Sequence, residues 1–428
     1  MSGNRYAPLL IIALLWLGGC AGRAPESGGV PATRDVPHEE EMIVKALVYT
    51  QEGKPLEAYR WYERLYQKTH KEEYRLAGMR ALLAAKAYEK ALQEARALTA
   101  KEPGNVEARK IACVSWLHLK KQQKALSCAK EVVKLAPDDF QGVDLLASLY
   151  LLSSKNESAY RVYENYYRRH HDDETVLKMA SIRLHRMKQP EEALRLLESH
   201  SKMIGCGEQV CLFLAELYRK AQNLEGMADV YKRLYETTGR AEYAKKGAEI
   251  YAYLKAYEKA EALLKNSDAD PRLLLSLYKH TRRFKEAVKL AQRLYAQTDD
   301  PLWLAEHAVL TFEAVENKRN KQMIKQVVNE LDEAMKRGVD DPLYDNYLGY
   351  LLIDYDMDVP RGIELVKKAL AADPDSGYYL DSLAWGYYKL GRCDEAYKVM
   401  KKAMESLGHE DKELSAHMKK IEQCRSKK

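Results

Sequence analysis

Small residues recur along this chain at a spacing close to 34 residues, and this period limits the possible folds more than any other feature of the sequence. Ala91, Ala125, Ala159 and Ala193 are each 34 residues apart, and each opens an apolar run. A sequence unit that repeats every 34 residues is typical of an array of helical hairpins, in which each hairpin contacts only its neighbours. With one small residue marking the second helix of each hairpin, the sequence predicts eleven units, marked by Ala58, Ala91, Ala125, Ala159, Ala193, Met227, Ala260, Ala287, Val327, Gly362 and Ala396.

The last two units carry the fullest form of the pattern. Leu383, Ala384, Tyr387, Gly391 and Ala396 follow one another in the order large, small, aromatic, Gly and small. In this order and spacing the segment resembles the tetratricopeptide repeat family. Small residues at a helix crossing let two antiparallel helices approach closely, while large apolar residues fill the flanks. The resemblance implies an all-α solenoid of helical hairpins that winds into a right-handed superhelix and ends in a capping helix.

Composition agrees with an array of stacked units. The 428 residues are 46% hydrophobic and 31% charged, and few runs alternate with the period of a β-strand. A single globular core is not expected in a chain of this length, whereas a repeat array has no such upper limit on its length because each unit packs only on its neighbours. The chain has 30 Tyr and only 4 Phe, and Tyr can fill a gap between helices while its hydroxyl reaches water. Most of these tyrosines are therefore predicted to be packing residues.

The amino terminus has the features of a bacterial export signal. Arg5 precedes an apolar stretch over residues 8–17, which is too short for a membrane span, and the stretch ends in Leu17-Gly-Gly-Cys20. This ending resembles a lipobox, which implies cleavage before Cys20 and acylation of its sulfur; an uncleaved signal anchor is the alternative. Several acyl chains make a lasting anchor. Because Ala21 and not Asp follows the cysteine, the resemblance favours the outer membrane, with the chain facing the periplasm.

The remaining chain divides by composition and by the regularity of the repeat. Two irregular units in the middle are expected either to alter the superhelix or to reflect sequence drift at unchanged geometry. The last helix, Lys412 to Arg425 with Leu414, Met418 and Ile421 on one side, is predicted to be a cap, with a partner-binding helix as the alternative. The predicted segments are a signal peptide (1–19), the lipidated cysteine and a Gly- and Pro-rich tether (20–37), an N-terminal array (38–265), irregular units (266–340), a C-terminal repeat pair (341–407) and a capping helix with its tail (408–428).

No motif in the sequence indicates catalysis. The chain contains no Gly-rich phosphate loop, no His-Glu-x-x-His, no Cys-x-x-Cys and no nucleophile elbow. His170, His171, Asp172 and Asp173 come nearest to a metal site, but charged residues are common in turns between helices. We therefore predict no catalytic residues, no cofactor and no metal. The formal net charge is only +6, with both signs interleaved, so no nucleic acid partner is expected.

Six cysteines remain after Cys20, and an oxidising periplasm would allow them to pair. The repeat register favours three local pairs over the other combinations. Free and buried thiols are the competing interpretation. The candidate disulfides are Cys206 with Cys211 across one inter-helix turn, Cys393 with Cys424 between the last hairpin and the cap, and Cys113 with Cys128 within one hairpin.

The concave side of such an array, formed by the first helix of each unit, is the predicted binding surface. Aromatic rings would stack on an extended partner segment, and Asn and Asp would hydrogen-bond its backbone. Ordinary packing within the groove explains the same residues about as well. The predicted partner-binding groove consists of Asn346, Tyr350, Asp381, Trp385 and Tyr388.

Taken together, these features predict a lipid-anchored, non-enzymatic scaffold that binds other envelope proteins or peptide segments. The closing units resemble those of outer-membrane repeat lipoproteins, some of which are adaptors that tether carboxy-terminal processing proteases and cell-wall enzymes. An alternative with the same architecture is an assembly component of an export machine, for exopolysaccharide or a pilus. The sequence leaves partner identity and oligomeric state open.

Overall fold

The computed structural model describes residues 39–407 and 412–426, and within them it contains α-helices joined by turns and no β-strand. The described residues divide into two compact units, the first ending at residue 155 and the second beginning at residue 156. The predicted signal peptide, Cys20 and the tether lie outside the described residues, and the predicted superhelix handedness and segment boundaries stay predictions. The helices of the first unit are α1 (Glu39–Gln51), α2 (Pro55–Thr69), α3 (Glu72–Ala84), α4 (Tyr88–Lys101), α5 (Val106–His118), α6 (Gln122–Leu135) and α7 (Phe140–Leu152).

The second unit contains the remaining helices, including one short π-helical segment that continues α9. In both units, consecutive helices pack against each other. The helices of the second unit are α8 (Asn156–His170), α9 (Asp173–Ser181, then the π-helix Ile182–Arg186), α10 (Pro190–Met203), α11 (Glu208–Lys220), α12 (Leu224–Thr238), α13 (Ala241–Tyr253), α14 (Tyr257–Ser267), α15 (Pro271–His280), α16 (Phe284–Thr298), α17 (Pro301–Ala314), α18 (Lys321–Lys336), α19 (Pro342–Asp354), α20 (Val359–Ala372), α21 (Gly377–Lys389), α22 (Cys393–Leu407) and α23 (Lys412–Ser426).

The small marker residues occupy the crossings of the hairpins. Each marker lies on the second helix of its hairpin, and all but one are buried. The exception is Met227, which is half-buried, whereas the next residue, Ala228, is fully buried. A side chain as long as Met does not fit where two backbones approach, so α12 places its neighbouring alanine there instead. The predicted marker is thus wrong by one residue in this unit.

Polar caps and prolines set the ends of many helices. The Asn105 side chain accepts a hydrogen bond from the Ala108 backbone N–H (3.0 Å) at the start of α5, and Asp270 does the same for Leu273 (2.9 Å) at α15. Such caps satisfy donors that have no partner within the helix. Prolines at the first helical position, such as Pro190 and Pro301, lose no hydrogen bond there. The sequence therefore encodes the hairpin boundaries locally.

Tyrosines on the first helices bridge neighbouring hairpins. The Tyr74 hydroxyl on α3 donates a hydrogen bond to Glu39 on α1 (2.7 Å), and the Tyr344 hydroxyl on α19 donates to Glu306 on α17 (3.1 Å). Burial, together with the Glu39 carboxylate, raises the pKa of Tyr74 to about 12. A Phe would pack equally well but could not make this bond. The bridges give a physical reason for the excess of Tyr over Phe.

The turn inside many hairpins contains a residue with a left-handed backbone. In the first unit these residues are Gly53 (φ +68°), Lys86 (+60°), Lys120 (+60°) and Ser154 (+57°). Glycine adopts this conformation without strain, whereas an L residue with a side chain is disfavoured there. The lysines at two of these turns are therefore held in a strained backbone.

Replacing Lys120 with glycine is expected to raise the free energy of unfolding of the first unit by about 0.5–1 kcal/mol, because relief of the left-handed strain exceeds the entropy lost by glycine on folding. Urea denaturation followed by circular dichroism measures the change. Lys121→Gly is the matched control, since φ at Lys121 is −93° and Lys121 is the N-cap of α6, where glycine is tolerated; this substitution should leave the free energy of unfolding nearly unchanged. Equal effects of the two substitutions would contradict the role of the backbone conformation.

Candidate partner-binding surface

The C-terminal helix α23 covers the predicted groove. Leu414 and Ile421 on one side of α23 are buried in the same apolar cluster as Met400 of α22 and Leu383 of α21. Between them on the same side lies His417, which is also buried. The cap predicted from the sequence is therefore present as a helix, and its apolar side packs on the last hairpin.

Trp385 is the centre of the surface beneath α23. Only 4% of Trp385 is exposed, because its ring is stacked on Tyr388 (centroids 4.7 Å apart) and on His417 (4.0 Å). The indole Nε1–H donates a hydrogen bond to Asp354 Oδ1 at 2.9 Å. A buried Trp needs such an acceptor, so the ring is satisfied by packing within the chain.

Two polar contacts connect α23 to the first helices of the C-terminal hairpins. His417 Nδ1 lies 2.9 Å from Asp381 Oδ1, so the ring N–H donates to a carboxylate that is only 7% exposed. The Tyr350 hydroxyl donates to Glu413 Oε1 at 2.7 Å. Burial and the nearby Asp354 carboxylate raise the pKa of Tyr350 above its usual range. Each contact satisfies a group whose burial would otherwise be costly.

The structure thus places most of the predicted partner-binding groove beneath α23, and partner binding by these residues stays a prediction. Tyr350, Asp381, Trp385 and Tyr388 do come together on one face, but the chain's own α23 covers that face. Asn346 does not take part in these contacts: its side-chain Oδ1 is buried and has no hydrogen-bond partner. Sequence reasoning missed Asp354, Glu413 and His417 as their partners. The position of His417, three residues after Leu414 and four before Ile421, was the available sign that it faces inwards.

Part of the C-terminal pair remains open to a partner. Leu343 on α19 and Tyr378 on α21 stand at the second position of their helices, and 46% and 62% of them are exposed. Large exposed apolar side chains at equivalent positions of successive hairpins are suited to contact with another protein. These two side chains are the candidate partner-binding residues that the structure leaves uncovered.

The three candidate cysteine pairs are joined as disulfides in the structure. The Cα atoms are 5.4 Å apart for Cys113 and Cys128, 5.3 Å for Cys206 and Cys211, and 5.7 Å for Cys393 and Cys424. These separations lie within the usual range for a bridge. The third pair fixes α23 to the start of α22, next to an ion pair between Arg425 and Asp394 (3.0 Å).

Peptide mapping without reductant is expected to recover these three linkages from the exported protein.

Replacing Cys424 with serine should loosen α23, because the bridge restricts the unfolded chain over a separation of 31 residues. Hydrogen exchange across residues 412–426 measures the loosening. The matched control is Cys211→Ser, which opens a separation of only five residues and should leave α23 unchanged. Free thiols in the exported protein would contradict the pairing.

The residues that came nearest to a metal site have structural roles. Asp172 caps α9 through the Thr175 backbone N–H (2.8 Å). Asp173 Oδ1 accepts from His200 Nε2 (2.8 Å), and the Tyr167 hydroxyl donates to His200 Nδ1 (2.7 Å). Within the described segments, no group of three or more His, Cys, Asp or Glu side chains is arranged to hold a metal ion. None of the described helices is long and apolar enough to cross a membrane.

Comparison with known proteins points to the same repeat. No protein-family model matches this chain. A TPR repeat-containing protein of Pseudomonas aeruginosa is 27% identical over 186 residues, which is 44% of this chain. The 34-residue period and the observed hairpins agree with the repeat that this relative is named for. The similarity is therefore to a tetratricopeptide repeat protein, over less than half of this chain. The chain spans 28% of the relative's length, so the similarity concerns the repeats and not the whole relative.

Solved structures resemble this chain only loosely. The APC/C hetero-tetramer Cut9–Hcn1 gives a TM-score of 0.41 at 10% identity, covering 90% of this chain and 96% of that one. Yeast Tom70 gives 0.34 at 11%, covering 91% and 96%. A thermophilic TPR protein of Thermus thermophilus gives 0.33 at 21%, covering 43% and 100%. At these scores the fold assignment rests on the hairpins of the chain itself.

Proposed function

We propose that this chain is a non-enzymatic scaffold that binds envelope proteins and is held at the outer membrane by acyl chains on Cys20. The array places exposed apolar residues at equivalent positions of successive hairpins, as a surface for another protein requires. The anchor would keep bound partners near the membrane and raise their effective concentration there. By the resemblance of the closing units, a protease or cell-wall enzymes are the proposed partners.

One observation carries the binding proposal. The surface of the last two hairpins already holds an amphipathic helix, α23, through ring stacking, a buried histidine–aspartate contact and two buried aliphatic side chains. Helix-in-groove recognition between proteins uses the same kinds of contact. The exposed side chains of the same two hairpins, Leu343 and Tyr378, are where we place the partner.

Affinity capture tests the proposal. The acylated chain is recovered from detergent-solubilised envelopes, and a specific envelope protein is expected to come with it in constant ratio. Leu343→Ser with Tyr378→Ser should weaken capture about tenfold or more, because interface anchors typically contribute 1–2 kcal/mol or more each. The matched control is Leu390→Ser, an exposed apolar residue at the other end of α21. Unchanged capture by the double variant would refute this surface as the site.

Acylation is tested separately from partner binding. Mass spectrometry of the amino-terminal peptide should find acyl chains on Cys20, and the protein should fractionate with the outer membrane. Cys20→Ser should release it into the periplasmic fraction while leaving its capture of partners in solution intact. An unmodified Cys20 in the exported protein would refute the anchor but not the scaffold.

A further inference from the structure

Lysines occupy strained turns at one edge of the first unit. Lys86 lies in the turn between α3 and α4, and Lys120 in the turn between α5 and α6, both with a left-handed backbone. Equivalent turns of stacked hairpins lie at the same edge of an array. Glycine serves the same turn at Gly53, so folding alone does not require lysine. Lysine at these turns adds an exposed cation that the backbone conformation itself does not require.

The same edge has further lysines, with Glu52, Glu89 and Glu157 beside three of its turns. Lys121 and Lys155 follow the left-handed residues directly, and no acidic residue occurs between Glu107 and Glu131. The side chains of Lys86, Lys120, Lys121 and Lys155 are exposed, and none forms an ion pair within the described part of the chain. We call these four residues the cationic edge. Their charges are available to an external anion.

The helix dipole does not by itself account for the cationic edge. The carboxyl end of each first helix is negative and favours a nearby cation. However, the turn after α7 has the same conformation at Ser154, and Gly53 occupies it after α1. The dipole can favour a cation in these turns generally, as at Lys188, Lys255 and Arg282 of the second unit, but it does not account for the exposed leucines beside the lysines of the first unit.

Exposed leucines accompany the lysines at this edge. Leu152, the last residue of α7, is 45% exposed, and Leu56, the second residue of α2, is 48% exposed. Lysines mixed with exposed aliphatic residues suit a membrane interface, where the cation meets the headgroup and the apolar side chain enters the acyl boundary. A soluble polyanion would bind the lysines but would offer no apolar region for the leucine side chains to enter.

We propose that the cationic edge docks on anionic phospholipid headgroups, so that the first unit rests on the membrane surface. The inference rests on the proposed membrane location, because an anchored chain meets such a surface constantly. It adds a second, electrostatic contact to the proposed acyl anchor. Lys86, Lys120, Lys121 and Lys155 contact the headgroups in this arrangement, with Leu56 and Leu152 beside them.

Vesicle binding by the chain with Cys20→Ser tests the edge without the acyl anchor. The probe is vesicles of phosphatidylethanolamine with about a third phosphatidylglycerol, compared with phosphatidylcholine alone. We expect co-sedimentation with the anionic vesicles only, and its loss at high salt. Lys86→Gly with Lys120→Gly should weaken binding about 25-fold, since each lysine near an anionic surface contributes about fivefold. Because glycine relieves the strained backbone at both turns, this variant should unfold at no lower urea concentration than the parent.

Two matched variants separate the edge from general charge. Lys101→Ala with Lys134→Ala removes the same charge from the last turns of α4 and α6, at the opposite ends of the second helices, and should change binding less than twofold. Lys121→Gln with Lys155→Gln should weaken binding as the glycine pair does. Equal loss from the control pair, equal binding to neutral vesicles, or binding to heparin but not to vesicles would each overturn the proposal. Partner capture by the glycine pair should be unchanged; its loss would show that the edge contacts a protein partner, and would overturn membrane docking while leaving the scaffold proposal standing.

Discussion

Replacing Trp385 with alanine is expected to lower the free energy of unfolding of the C-terminal hairpins by about 3–5 kcal/mol. The ring is almost fully buried between Tyr388 and His417, and it donates to Asp354. Truncation would leave a cavity beneath α23 and would remove the donor from a half-buried carboxylate. Urea denaturation gives the size of the loss, and hydrogen exchange over residues 377–426 should show faster opening in α21 and α23.

Tyr378→Ala is the matched control for this prediction. Tyr378 lies on the same helix but is largely exposed, so its removal should change the free energy of unfolding by less than about 0.5 kcal/mol. If Trp385→Ala cost less than about 1 kcal/mol, the ring would not be a packing residue, and the open groove predicted from the sequence would be restored.

Gly349→Ala is expected to destabilise the same region by about 1–3 kcal/mol. A Cβ at this position of α19 would lie 2.8 Å from the Gly362 carbonyl oxygen and 2.8 Å from Val366 Cγ2. The first of these atoms belongs to the backbone of α20, which cannot rotate away. The two helices would have to separate, and circular dichroism during urea denaturation would report the loss.

Gly78→Ala should have the opposite sign, which makes it an informative control. Gly78 is also buried within a helix, α3, but its added Cβ would meet Tyr59 and Tyr62 atoms at an ordinary 3.5 Å. Alanine should then stabilise by up to about 1 kcal/mol through helix propensity. Destabilisation of similar size at both glycines would show that the crossing distance of α19 and α20 is not the cause.

The repeat could be predicted from the sequence because it is encoded locally and repeatedly. Prolines such as Pro103 and Pro374 stand two residues beyond the ends of α4 and α20. Small residues such as Ala91 and Ala125 are fully buried at the crossings. Each of these features depends on neighbours within one hairpin, so the pattern of residues suffices to place it.

The cover over the groove could not be predicted in the same way. Placing Trp385 and Asp381 on one face requires only the helical period, but covering that face depends on the path of α23, which belongs to no repeat. The contact of Asp381 with His417 joins residues 36 apart in sequence. The π-helix Ile182–Arg186 could not be predicted either. Its sequence, Ile-Arg-Leu-His-Arg, contains no glycine or proline that would indicate a change in the helix.

The tyrosine bridges between first helices restrict how the array can change in evolution. Tyr74 and Tyr344 each depend on a carboxylate carried by the preceding hairpin. Deleting or duplicating one hairpin would place such a hydroxyl opposite a neighbour without its acceptor, at the cost of an unsatisfied polar group. Hairpins should therefore be inserted or deleted less easily at these junctions than at junctions where only aliphatic side chains pack between neighbouring hairpins.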